Sequence, residues 1–125
     1  MKLKPLLAAL CGAAVLAVTV TDASAAGIRV KCEKRADRSK ISVDGDGLAT
    51  GAYKAIVISG ANSKTSGAKP TVGDEVEFDF DSAANDIAAG ATAISRTFIQ
   101  GAVTGKIVNA RGSVVASDTV GCRTR

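Results

Sequence analysis

The sequence predicts an all-β protein: a single Ig-like β-sandwich of about seven antiparallel strands, closed by one disulfide and preceded by a signal peptide. Three observations carry this. Asp74-Glu75-Val76-Glu77-Phe78-Asp79-Phe80-Asp81 alternates strictly, with Val76, Phe78 and Phe80 on one side and carboxylates on the other. That period of two marks a half-buried strand. Short apolar runs separated by glycine-rich turns then recur along the rest of the chain, the pattern of a sandwich. Finally, Cys32 and Cys122 lie in strand-like segments near the two ends of the domain.

Met1-Lys2-Leu3-Lys4 is a short basic start, Leu6 to Val20 carries no charge, and Ala23-Ser24-Ala25 supplies small residues for a signal peptidase. Residues 1–25 therefore read as a cleaved secretory leader and 26–125 as one domain. The apolar run is shorter than the roughly 18 residues a membrane span needs, so no stable membrane insertion is expected after cleavage. Cys11 does not make a lipoprotein signal, because Leu10 stands where a small residue is required. The whole chain carries 16 Lys and Arg against 12 Asp and Glu, for a net charge of +4. Losing Lys2, Lys4 and Asp22 with the leader leaves about +3, too mild an excess to point to nucleic acid.

After the leader, two cysteines remain, and in an oxidising compartment they read as one bond between Cys32 and Cys122. Closing a loop of about 90 residues would contribute roughly 4–5 kcal/mol on the chain-entropy model.

Ile28, Val30 and Cys32 alternate with charged residues as a first strand. Lys34 to Lys40 reads as a charged connection. Ile41 and Val43 open a second strand, which Asp44-Gly45-Asp46-Gly47 should end as tandem turns. Tyr53 to Ser59 is apolar enough for an interior strand. Gly60 to Gly73 reads as a long surface loop with at most a short edge segment near Thr71-Val72. Ser82 to Gly90 could form a short helix capped by Ser82 and ended by Gly90. Ala91 to Gln100 is expected to return to strand, with Ile94, Phe98 and Ile99 buried. Val103 to Ala110 and Val114 to Cys122 should pair as a hairpin, with Val114, Ala116, Val120 and Cys122 on one face. The chain has no tryptophan, so the antibody pattern of a core tryptophan against a disulfide is missing.

The chain has no histidine, which excludes a Ser-His-Asp triad, a Cys-His pair and the usual zinc-hydrolase ligand sets. Ser66-Gly67-Ala68-Lys69 matches Ser-x-x-Lys, but Gly67 and Pro70 deny it the helix start that the motif requires. Gly45-x-Gly47-x-x-x-Gly51 misses the dinucleotide fingerprint and reads as turn chemistry. Glu75 and Glu77 could pair as glycosidase carboxylates, yet the chain lacks the aromatics that line a sugar cleft. The expectation is a protein that is not an enzyme and carries no cofactor.

Two charged features remain as binding surfaces. Asp79, Asp81, Asn85 and Asp86 at a strand end supply oxygen ligands that could converge on a calcium ion. Against this stands a solvated acidic face that keeps a strand from aggregating, which is the favoured expectation. Asp44 and Asp46 form a second, weaker cluster. Arg29, Lys31, Lys34, Arg35, Arg38 and Lys40 form a basic patch, with Arg123 and Arg125 brought close by the disulfide. It could dock on an anionic envelope component, or pair with the acidic strand of the same molecule. Nucleic acid is not expected, because stacking aromatics are absent.

Val30-Lys31-Cys32-Glu33-Lys34-Arg35, continuing through Arg38-Ser39-Lys40-Ile41-Ser42-Val43-Asp44-Gly45, with Asp86-Ile87-Ala88-Ala89-Gly90 later, resembles short exported bacterial proteins of uncharacterised function. The resemblance implies export and a bacterial source. Together these readings predict a periplasmic or secreted binding module whose partner is an unknown protein or an anionic envelope component. The alternatives are a structural or envelope-associated protein that binds another protein by strand addition, an inhibitor of a secreted enzyme presenting Gly60–Gly73, or a calcium-binding adhesion-type module.

Overall fold

The computed structural model describes residues 26–125; the expected leader, 1–25, lies outside them. Among the described residues ten strands form: β1 (Gly27–Arg35), β2 (Arg38–Asp46), β3 (Ala52–Ser59), β4 (Asn62–Thr65), β5 (Lys69–Pro70), β6 (Val76–Asp81), β7 (Thr92–Ala93), β8 (Val103–Val108), β9 (Val114–Val120) and β10 (Arg123–Thr124). A single helical turn, α1 (Ala84–Ala88), follows β6. The strands make two sheets, one in the order β10-β1-β2-β6-β7 and the other β4-β3-β8-β9, with β5 paired to the start of β3. Pairing is antiparallel except where β10 meets β1 and β7 meets β6.

Strand alternation generates the core. In the first sheet, register aligns Cys32 with Ile41 and Phe80, Val30 with Val43 and Phe78, and Gly45 with Val76. These rows face Tyr53, Ala55, Val57, Val103 and Ile107 of the second sheet in one buried cluster. Two glycines sit where the sheets face each other with little room for a side chain. A Cβ on Gly105 would lie 2.7 Å from Val30 Cγ2, and one on Gly45 would press against Ile107 Cδ1. The chain changes sheets after β9, and the Cys32–Cys122 disulfide ties that crossing to β1. Cys32 and Cys122 are 90 residues apart in sequence and 4.7 Å apart at Cα.

Several sequence expectations give way to longer pairing. Lys34 to Lys40 is not a connection: β1 and β2 stay paired through Glu33–Lys40, Lys34–Ser39 and Arg35–Arg38 up to a two-residue turn at Ala36-Asp37. The Asp-Gly turns expected at 44–47 start later, since Gly45 stays in β2, paired with Ile28 on one side and Val76 on the other. The segment from Gly60 to Gly73 is not a free loop. Gly60, at φ 57°, turns β3 directly into β4, a left-handed conformation glycine adopts without steric cost. Within the same segment, Ser66 is buried, and its hydroxyl accepts the Ala55 N–H at 2.9 Å.

Ser82 does not cap α1. Its hydroxyl instead accepts the Ser39 N–H at 3.0 Å, and the N-cap position is Ala83. Only Thr92–Ala93 of the 91–100 segment is strand. The rest crosses between the sheets with Ile94, Phe98 and Ile99 buried as expected. Its backbone is held by side chains rather than by a ladder. Ser39 Oγ donates to Arg96 O, Ser59 Oγ to Ala102 O, Asn62 Nδ2 to Phe98 O and Lys34 Nζ to Ile99 O. In β9 a bulge sets Val108 against Val114 and Ile107 against Ala116. This slip turns Val115, not Val114, toward the core and leaves Val114 exposed. Among the described residues no helix is long and apolar enough to cross a membrane.

Candidate functional site: a charged sheet face

The outward face of the first sheet carries most of the residues singled out by charge. Because β1, β2 and β6 pair in register, their outer positions form rows: Glu33–Lys40–Asp81, Lys31–Ser42–Asp79 and Arg29–Asp44–Glu77. Cations concentrate on β1 and carboxylates on β6, so charge changes sign across two strand spacings, about 10 Å.

The structure divides the expected basic patch. Arg38 is a structural clamp. Its Nε donates to Asp81 Oδ1 at 2.9 Å, and its Nη2 donates to Asp81 Oδ2 at 2.6 Å and to Asp86 Oδ2 at 2.7 Å. The Ala83 N–H adds a fourth bond, to Asp81 Oδ1 at 2.9 Å. Burial pushes the Asp81 carboxyl up, but the Arg38 hydrogen bonds, the Ala83 N–H and the guanidinium charge outweigh it and hold the carboxyl below the usual range. The sequence places Asp81 on the solvated acidic face, but its side chain is 2% exposed, held by Arg38 and by the Ala83 N–H at the start of α1. Of the four oxygen donors considered for calcium, Asp81 and Asp86 are thus engaged by a guanidinium, while Asp79 and Asn85 are exposed. Among the described residues no three His, Cys, Asp or Glu side chains are grouped to hold a metal.

Lys34 turns away from the patch to the Ile99 carbonyl. Arg35 Nε donates to Glu33 Oε2 at 2.6 Å, and Arg125 Nε lies 3.7 Å from the same oxygen. The bond from Arg35 leads in lowering the Glu33 carboxyl; desolvation opposes it, and the charges of Arg35, Arg125 and Arg123 add to the lowering. Lys31, Lys40 and Arg123 are different. All three are exposed, and none pairs with a carboxylate of another described residue. They surround an open groove of about 500 Å³, between Gly121–Arg123 and the outer face of β1 and β2, that Glu33 and Ser42 also line. Arg123 was expected only as a neighbour of the patch. Its place in the groove follows from the parallel pairing of β10 with β1, which opposes it to Glu33.

On the acidic side, Asp44 lies between Arg29 and Glu77. Desolvation, then the charges of Glu77 and Asp79, push its carboxyl up, and Lys31 and Arg29 offset this only in part. Glu75, Glu77 and Asp79 are exposed as expected.

No family model matches the sequence, and no curated protein matches it either. Among solved structures, the chain is similar to the Pseudomonas fluorescens alkylpurine DNA glycosylase AlkC bound to DNA containing an abasic site analog. The identity is 11%, the TM-score 0.40, and the match covers 86% of this chain and 33% of that one. The chain therefore spans about a third of that protein's length.

Proposed function

We propose that the chain is an exported, non-enzymatic binding module built as an Ig-like β-sandwich, and that the groove among Lys31, Lys40 and Arg123 takes an anionic component of the cell envelope. The observation that carries this reading is the division of the cations. Lys34, Arg35, Arg38 and Arg125 are spent on internal contacts, while Lys31, Lys40 and Arg123 remain open to solvent around one groove. The leader motif and the disulfide support export. The strand orders support the Ig-like reading, since β1-β2-β6 and β4-β3-β8-β9 correspond to A-B-E and C′-C-F-G. The chain departs from antibody domains in its disulfide, which joins β1 to the link between β9 and β10 rather than B to F.

Strand addition is less well supported. On the outer strand β9, the Thr119 N–H is accepted by the side chain of Asp118, and a bulge interrupts the register. Both features discourage pairing with another chain.

The test is co-sedimentation of the purified 26–125 domain with isolated envelope material at low and high salt. Retention should be lost on raising ionic strength and on the double reversal Lys31→Glu/Lys40→Glu, and should survive Glu75→Gln. Retention indifferent to salt and to charge reversal would remove the groove from consideration.

A further inference from the structure

Resting on the reading of this groove as the ligand surface, we infer that its ligand is a linear acidic polysaccharide rather than a membrane surface or a simple phosphate polymer. Three features lead there. The first is the narrowness of the basic zone. Lys31 shares its row with Asp79, two strands away, a separation of about 10 Å. This is close to the Debye length of about 8 Å at physiological ionic strength, so a flat anionic surface resting on Lys31 would also feel the carboxylates. A single chain following β1 along the groove stays off them.

The second feature is the presence of acceptors among the cations. Ser42 Oγ lies 3.3 Å from Asp79 Oδ1, so its proton is directed out of the groove and its oxygen is left to accept. Glu33 Oε2 is held by Arg35 and Arg125, whereas Oε1 makes no hydrogen bond to another described residue. Cationic donors and two acceptors in one groove suit a ligand that carries both anionic groups and hydroxyls. An acidic sugar has both. A polyphosphate chain has no hydroxyls along its length and would meet Glu33 only as repulsion. The third feature is the lining itself, which contains no aromatic side chain, so neither a nucleobase nor a neutral sugar face finds a stacking platform. Each contact is therefore weak, and affinity comes from repeats along the polymer.

The experiment titrates the domain with a polygalacturonate oligomer of defined length, inorganic polyphosphate of matched charge, a single-stranded oligonucleotide, and phosphatidylglycerol vesicles. Polygalacturonate should bind tightest. Lys31→Ala, Lys40→Ala and Arg123→Ala should each weaken it about two- to fivefold, as exposed ion pairs do, and each should flatten its salt dependence. The deciding variant is Glu33→Leu, which removes both the charge and the acceptor and should weaken polygalacturonate while strengthening polyphosphate. Unchanged melting temperatures would show that these exposed substitutions leave the fold intact. Tighter binding of polyphosphate, oligonucleotide or vesicles, or a change in the same direction for both polymers in Glu33→Leu, would overturn the inference. If one of those other polyanions binds and depends on Lys31, Lys40 and Arg123, the groove stands and only the ligand class is wrong. If neither polyanions nor envelope material bind, the groove reading falls with it.

Discussion

Arg38→Ala would leave Asp81 under α1 with its charge and without its cation. The Asp81 side chain is 2% exposed and that of Arg38 24% exposed, and the two exchange a bidentate contact at 2.9 and 2.6 Å. Breaking a fully buried pair from one side costs roughly 3–5 kcal/mol; here water can reach the vacated guanidinium site from one face, so about 2–4 kcal/mol is expected. For a domain of this size, that lowers Tm on the order of 10–20 °C. Asp81→Asn keeps an acceptor for the Ala83 N–H but loses the charge-assisted bonds, so it should cost less, about 1.5–3 kcal/mol. Arg38→Met with Asp81→Leu removes both charges, and its cost should be well below the sum of the two single changes. The clamp also sets a pH dependence. The folded-state carboxyl of Asp81 sits below its unfolded value of about 3.9, so its contribution is full above roughly pH 4–5 and is lost as pH falls through the folded value. Urea unfolding at neutral pH and at several acid pH values measures all of this. A stability change under about 0.5 kcal/mol for Arg38→Ala, the range of ordinary surface substitutions, would refute the clamp.

Asp44 has the opposite sign. Its folded carboxyl is raised, so ionisation costs stability once pH exceeds the unfolded value. Asp44→Asn should therefore stabilise at neutral pH by a few tenths to about 1 kcal/mol, a gain that disappears in acid; a loss at neutral pH would contradict it. Cys32→Ala should destabilise by about 2–5 kcal/mol in non-reducing urea titrations. Labelling of the denatured, unreduced wild-type domain should find no free thiol, and stoichiometric labelling would refute the bond. Gly105→Ala sets a Cβ against the stiff side chains of Val30 and Val43 and should cost about 1–3 kcal/mol. A neutral result in thermal unfolding would mean the two sheets can part at that point without loss.

Alternation along one strand was enough to tell which of Val76, Phe78, Phe80, Val30 and Cys32 face inward, because side-chain direction in a strand is a local property. The pairing of Cys32 with Cys122 was also legible, since these are the only two cysteines in residues 26–125. The turns were legible only in part. Gly45 carries the same Asp-Gly signal as a turn, yet it stays in β2, where Ile28 and Val76 on the two neighbouring strands pair with it. Likewise Ser39, Ser59 and Asn62 look like ordinary polar residues until the 94–102 segment arrives across the sheets and its carbonyls need donors. Charge was the least legible. Composition placed Arg29 to Lys40 together as one basic patch, but register and the folding-over of α1 decided that Arg38 neutralises Asp81 and Asp86 while Lys31 and Lys40 stay open. Arg123 joined them only because β10 leaves the second sheet to pair with β1. Whether a cation is free depends on which carboxylates other strands bring within reach, and that is set by tertiary pairing, not by neighbours in sequence.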